Sequence, residues 1–207
     1  MGITGDDGNP LMFATCNVGA SKPEEYGDYF MWASTTPNNR NLCYWDDPKI
    51  PYHTRTSSSS VWTKYFVGSN SGSETGTRDN KTVLDPEDDA AHVIMGGKWR
   101  MPTKTELQKL VTKSNTWTTK NGVYGREWTS GNYTLFIPAA GWRENGCFYN
   151  QGSTGYIWSS SLFADRSHTA YRMRFEDSGS TNINNLSWDA RYFGCPVRGV
   201  VSLQKQN

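Results

Sequence analysis

The sequence predicts an α+β fold, on three observations. Two capped helix signals lie between Asp85 and Val111, strand and turn signals fill the chain after Trp117, and a Pro-, Ser-, Asn-, Gly- and Thr-rich stretch from Thr35 to about Asn80 precedes both. At 207 residues the chain is long enough for one generous domain. Residues 1–207 are therefore read as a single domain, with 1–10 a flexible leading segment and 202–207 a tail.

Leu11 to Thr15 reads as a first strand, and Pro23 to Trp32 is an aromatic-rich segment expected to pack inside. The stretch Thr35 to Asn80 reads as long surface loops with a short strand near Val61 to Val67. In the first helix Asp85 is the expected N-cap, Pro86 fits the first turn, Glu87, Asp88 and Asp89 suit the positive end of the dipole, and Gly96 ends it. In the second, Thr103-Lys104-Thr105-Glu106 is a capping box followed by the stripe Leu107, Leu110, Val111. Asn121-Gly122 between Trp117–Thr119 and Val123–Trp128 signals a hairpin. Tyr133 to Pro138 reads as a strand at whose end or edge Pro138 sits. Turns around Gly146 and Gly152, then short strands at Tyr156–Ser160, Ala170–Phe175 and Val197–Val201, complete the pattern.

Composition excludes several function classes. Lys+Arg at 21 against Asp+Glu at 20 gives a net charge of +1 with no long single-sign block, so no nucleic-acid interface is expected. No apolar run approaches the roughly 18–20 residues that span a bilayer, so no membrane insertion is expected. Met1 to Gly8 lacks the pattern of a signal peptide, which fits an intracellular chain or one whose leader has been removed. Mean hydropathy is −0.72, yet 14% of residues are aromatic, enough large rings to build a core.

No catalytic motif stands out. G-x-S-x-G, the P-loop and H-E-x-x-H are all absent, and the three histidines are isolated. The four cysteines, Cys16, Cys43, Cys147 and Cys195, contain no C-x-x-C pair, which argues against zinc and thioredoxin-like chemistry and leaves three pairings if all are oxidised. Asp88-Asp89 is read as complementing the helix dipole. Asp6 to Asn9 and Asp85 to Asp89 offer hard oxygens for a structural calcium, but neither has EF-hand spacing, so solvated turns are the default and no cofactor is expected.

The most informative stretch is Trp158 to Arg198. Its mixture of rings, Asn, Ser and Arg is the chemistry of a recognition surface, since rigid amphipathic rings give contact area at low entropy cost. Tyr171, Met173 and Phe175 alternate with Arg172 and Arg174, predicting a strand with the first set in the core and the arginines toward solvent or a neighbouring loop. From Asn182 to Tyr192 no period is evident, and a long loop or irregular strand pair is expected. The candidate ligand-binding residues are Phe163, Asp165, Arg166, His168, Asn182, Asn184, Asn185, Trp188, Asp189, Arg191 and Tyr192, in two patches expected on one face. No catalytic or metal-binding residue is assigned.

Ala14 to Ala20, Pro23 to Phe30, Trp99 to Thr103, Pro138 to Gly141, Tyr156 to Ser161 and Val197-Arg198 together resemble the FISUMP-like (major paralogous domain) proteins of gut bacteria, from about Leu11 to Val201. The resemblance implies a C-type-lectin-like fold of two helices, short mostly antiparallel strands and long loops, shared with formylglycine-generating enzymes and with the variable proteins of diversity-generating retroelements. It implies a non-enzymatic display module that binds a protein or glycan through about Ser161 to Tyr192, outside the cell, at its surface or on a phage particle. The sequence departs from the calcium-dependent lectins, for E-P-N, Q-P-D and W-N-D are missing and Trp188-Asp189-Ala190 and Trp45-Asp46-Asp47 are partial echoes. It also lacks the local cysteine motif of the formylglycine-generating oxidases, leaving Cys147 and Cys195 as the only candidates for that alternative. A structural subunit of an appendage or phage particle is the other alternative.

Overall fold

In the computed structural model the end of the chain is bonded to its beginning: Leu11–Phe13 pairs antiparallel with Val200–Ser202, and Tyr29–Phe30 with Cys195–Pro196. The residues described are 2–38, 48–68, 74–177 and 185–203. They form a mainly β structure with two α-helices, an α+β mixture of small sheets, and no described helix is long and apolar enough to cross a membrane.

The centre is an antiparallel sheet of Thr154–Leu162, Thr169–Glu176 and Asn185–Ala190, in that order. Thr154–Leu162 is buried along its whole length. Side-chain alternation splits it between two cores, Ile157 into one and Tyr156 and Trp158 into the other. The first core gathers Leu107, Leu110, Trp128, Met173 and Phe175 with the paired terminal strands. The second gathers Phe30, Trp32, Tyr65, Trp158 and Val197. The indole N–H groups of Trp32 and Trp158 each donate to a backbone carbonyl at 2.9 Å, Ser159 and Phe30 respectively, so these rings enter the core with their polar atoms satisfied.

The second helix, α2 (Lys104–Val111), forms as expected. Thr103 accepts from the Glu106 N–H and the Glu106 carboxylate accepts from the Thr103 N–H, closing the capping box. A second three-stranded sheet, Asn115–Lys120, Val123–Ser130 and Tyr133–Pro138, contains the expected hairpin, with Asn121 and Gly122 at φ 49° and 82°. Both central turn residues therefore adopt the left-handed conformation that an Asn-Gly turn supplies. Pro138 ends an edge strand, as its missing N–H requires.

Four expectations need correction. The first helix is divided: Pro86–Asp88 is a 3₁₀ turn, and α1 runs Ala90–Met95 with Asp89, not Asp85, accepting the capping bond from the His92 N–H. Residues 2–10, expected to be a flexible segment, pack on the body: Ile3 is buried, Leu11 N–H donates to Ile3 O, and Thr103 Oγ1 donates to Asp6. The loop-rich stretch encloses a small core of its own, Ile50, Trp62 and Phe66 with Met31, and carries the strands His53–Arg55, Ser60–Trp62 and Glu74–Gly76. Residues 185–190, expected to be a long loop or an irregular strand pair, form a strand in regular register, Leu186 and Trp188 alternating with Ser187 and Asp189 against Met173 to Ala170.

Candidate recognition surface

The central sheet positions the candidate residues on two faces rather than one. Met173, Phe175 and Leu186 share a face and lie in the core on which α2 packs. Tyr171 and Trp188 are the next register pair along that face, beside Lys104, the first residue of the helix. Cover ends there, so Trp188 is 42% exposed and Tyr171, assigned to the core from sequence, is half-buried.

A turn after the first strand brings Phe163 back over this pair: the Arg166 N–H donates to Phe163 O and the Phe163 N–H to Thr169 O. Phe163 stacks on Trp188 with centroids 4.9 Å apart and rings 17° from parallel, and meets Tyr171 edge-on at 5.4 Å. The Arg166 guanidinium lies 5.2 Å over Trp188, and Lys104 Nζ lies 4.6 Å over Tyr171. Asp165 and Arg166 are exposed at the tip of the turn. Three rings are thus held against one another beneath two cations on a partly exposed face of the sheet.

Asp189 and Tyr192 project elsewhere. Asp189 pairs with Arg172, whose guanidinium lies 4.1 Å over the Tyr156 ring, and also accepts from the Ala190 N–H. Arg172, expected toward solvent or a neighbouring loop, is buried on this opposite face of the sheet. Tyr192 donates to Glu144 Oε1 at 3.4 Å. Burial, then the Asp189 charge, raise the Glu144 pKa above its ordinary value, and burial with Glu144 pushes Tyr192 up to about 12. Tyr192 also starts a row of rings: Phe193 at 4.7 Å, Trp142 at 4.4 Å from Phe193, and Tyr149 stacked on Trp142 at 4.8 Å.

Arg191 is not a surface residue. It has no exposed area, and its guanidinium lies over Trp62 at 4.2 Å and Trp32 at 4.8 Å while donating to the carbonyls of Ser167, Tyr65 and Pro51. Burial lowers its pKa to about 9. His168 keeps a partly exposed side chain, with Nδ1 2.7 Å from the buried Glu74 Oε1. Asn182 and Asn184 lie outside the described residues, and Asn185 opens the edge strand opposite Arg174.

The acidic cluster weighed for calcium already holds a cation. Asp85, Glu87 and Asp88 bring carboxylate oxygens within 4.8 Å of one another. Lys64 Nζ lies 2.7, 3.3 and 2.6 Å from them and within 5.2 Å of the Tyr52 and Tyr65 ring centres. Asp88 also accepts from both tyrosine hydroxyls at 2.5 Å, so its role is this network rather than the helix dipole. Burial alone would lower the Lys64 pKa, but its bonds to Asp85 and Asp88 hold it well above the ordinary value. Asp7 of the other calcium candidate accepts from the backbone and side chain of Asn9. Of the cysteines considered for oxidase chemistry, Cys147 is exposed on a hairpin strand, whereas Cys195 is buried 3.8 Å from an Arg172 nitrogen.

No spacing in the sequence joins Lys104 to Tyr171, or Trp142 to Tyr149 and Phe193. Its one legible signal for the latter was the turn at Asn145-Gly146 followed by Phe148-Tyr149. Comparison with protein-family models, curated proteins and solved structures finds no match.

Proposed function

We propose that this chain is a non-enzymatic ligand-binding module that offers the Phe163, Tyr171 and Trp188 rings, with Arg166 and Lys104, to a protein or glycan. The observation carrying this is the exposed Trp188 ring stacked on Phe163 just beyond the end of α2. Trp, Tyr and Arg are enriched in binding hot spots, and the rigid rings among them bury much area with little rotamer entropy to lose. Holding them against one another beforehand reduces the ordering required on binding.

In the finer form of this proposal the fold is C-type-lectin-like, of the FISUMP-like kind, and the display segment is one that a diversity-generating retroelement varies. Support comes from the order of the motifs between Leu11 and Val201, the pairing of first and last strands, and two helices beside a central antiparallel sheet. Presentation at a cell surface, in secreted form or on a phage particle goes with that resemblance. A neighbouring reverse-transcriptase gene and a near-copy of the segment differing at adenines are its expected genomic signature, and without that copy the variable-protein form fails.

Screening the chain against protein and glycan arrays tests the binding function. Ligands captured by the wild type should be lost from a Phe163→Ala, Arg166→Ala, Trp188→Ala variant that stays folded.

A further inference from the structure

We propose a second site, for a neutral saccharide, on the platform formed by Tyr149 and Trp142 beside the carboxylates of Glu144 and Asp189. It shares with the preceding proposal only the premise that the chain binds ligands, and it uses none of the rings of the Trp188 patch.

The platform is built by a short hairpin, Trp142–Glu144 and Cys147–Tyr149, in which Tyr149 pairs with Trp142 and the turn residues Asn145 and Gly146 have φ 51° and 76°. Its inner strand is fixed to the body of the protein by reciprocal backbone bonds between Arg143 and Gly194. Gly141, at φ 67°, lets the Tyr149 carbonyl approach closer than any Cβ would permit. The hairpin is thus held tightly even though Phe148 and Tyr149 are 45% and 37% exposed.

The chemistry here favours a sugar over an apolar protein surface. A pyranose has one face of C–H groups and a rim of hydroxyls, so its binding site needs flat aromatic surface next to hydrogen-bond acceptors. Tyr149 stacks one face on Trp142 at 23° and is 37% exposed, so its other face is the one it can offer a ligand. The ring row leads from there to Tyr192 and hence to Glu144. Both carboxylates are anchored on one side, Glu144 by the Tyr192 hydroxyl and Asp189 by Arg172 and the Ala190 N–H. An ionised carboxylate accepts about four hydrogen bonds, so each retains acceptor capacity for sugar hydroxyls. An apolar protein face laid over the same spot would strip water from these carboxylates without replacing it.

Titration calorimetry of the full chain with cellohexaose, maltohexaose, mannohexaose and xylohexaose, in EDTA, tests the site. At least one of them should bind, with Tyr149→Ala and Glu144→Gln each raising Kd by about tenfold or more and Trp188→Ala leaving it unchanged. Hydroxyl-radical footprinting of the wild type with the bound sugar should protect Tyr149, a readout independent of how the variants fold. The proposal is overturned if none of these sugars binds, or if a bound sugar leaves Tyr149 unprotected. Sugar binding abolished by Trp188→Ala alone would also overturn it, while supporting the function proposed for the other patch.

Discussion

The Arg191 guanidinium lies 4.2 Å from the ring centre of Trp62, sealed from solvent. Three carbonyls, from Pro51, Tyr65 and Ser167, accept its N–H groups, so one side chain fastens three loop segments to the end of the strand Asn185–Ala190. Arg191→Ala should lower the unfolding free energy by about 3–5 kcal/mol in urea titration, since it removes the rings' cation and orphans buried carbonyls. Arg191→Lys should recover only part of this, because a compact ammonium does not fork to three acceptors. A loss below about 1 kcal/mol for the alanine variant would contradict the arrangement.

Lys64 supplies the positive charge among Asp85, Glu87 and Asp88, with Lys81 also paired to Asp85. Lys64→Met leaves three carboxylates facing one another and should lower the melting temperature by roughly 5 °C or more, where about 2–4 °C corresponds to 1 kcal/mol for a chain of this size. With the lysine present, millimolar calcium and EDTA should give the same melting curve. A calcium-dependent rise in the wild type would show that the ammonium does not fill the cluster.

Glu106 sets an acid limit on stability. Burial alone would raise its pKa, but the paired Arg100 guanidinium and the Thr103 N–H outweigh it and hold the carboxyl below its ordinary value. A carboxyl depressed in the folded state stabilises the fold above its unfolded pKa, about 4.3, and loses that contribution as pH falls through the lower folded value. Denaturant titrations between pH 5 and pH 2 should therefore show a shallower acid slope for Glu106→Gln than for the wild type. The same variant should be less stable at pH 7, with part of the buried pair broken. Identical slopes would refute the ion pair as the source.

Gly141→Ala tests how the hairpin platform is held. An added Cβ would overlap the Tyr149 carbonyl, and φ 67° is itself unfavourable for alanine. The expected result is a loss of about 1–3 kcal/mol with faster amide exchange from Cys147 to Tyr149. Exchange unchanged in that strand would mean the hairpin does not depend on this contact.

What the sequence made legible was what is local. Thr103 and Glu106 cap the same helix, and Asn121 and Gly122 lie in the turn they specify, so spacing alone reveals both. At Asp85-Pro86 the local signal misled, because the residues start a 3₁₀ turn and the helix begins one turn later at Asp89. Asn182 to Asn185 obscured the alternation that makes 185–190 a strand. Arg166 and Arg191 have the same chemistry, and only tertiary packing sends one over an exposed ring and the other into the interior. The ring row joins Trp142, Tyr149, Tyr192 and Phe193 from two segments some forty residues apart in sequence, a proximity no periodicity encodes.

The proposed binding role rests most directly on Trp188. Once an array identifies a ligand, surface plasmon resonance with wild type and Trp188→Ala should show Kd rising by about thirtyfold, the loss expected for a hot spot of about 2 kcal/mol. The melting temperature should fall by only a few degrees, about what loss of the Phe163 stacking contact costs on a partly exposed face. Equal affinity in the two proteins, with the fold intact, would contradict the patch as the recognition surface.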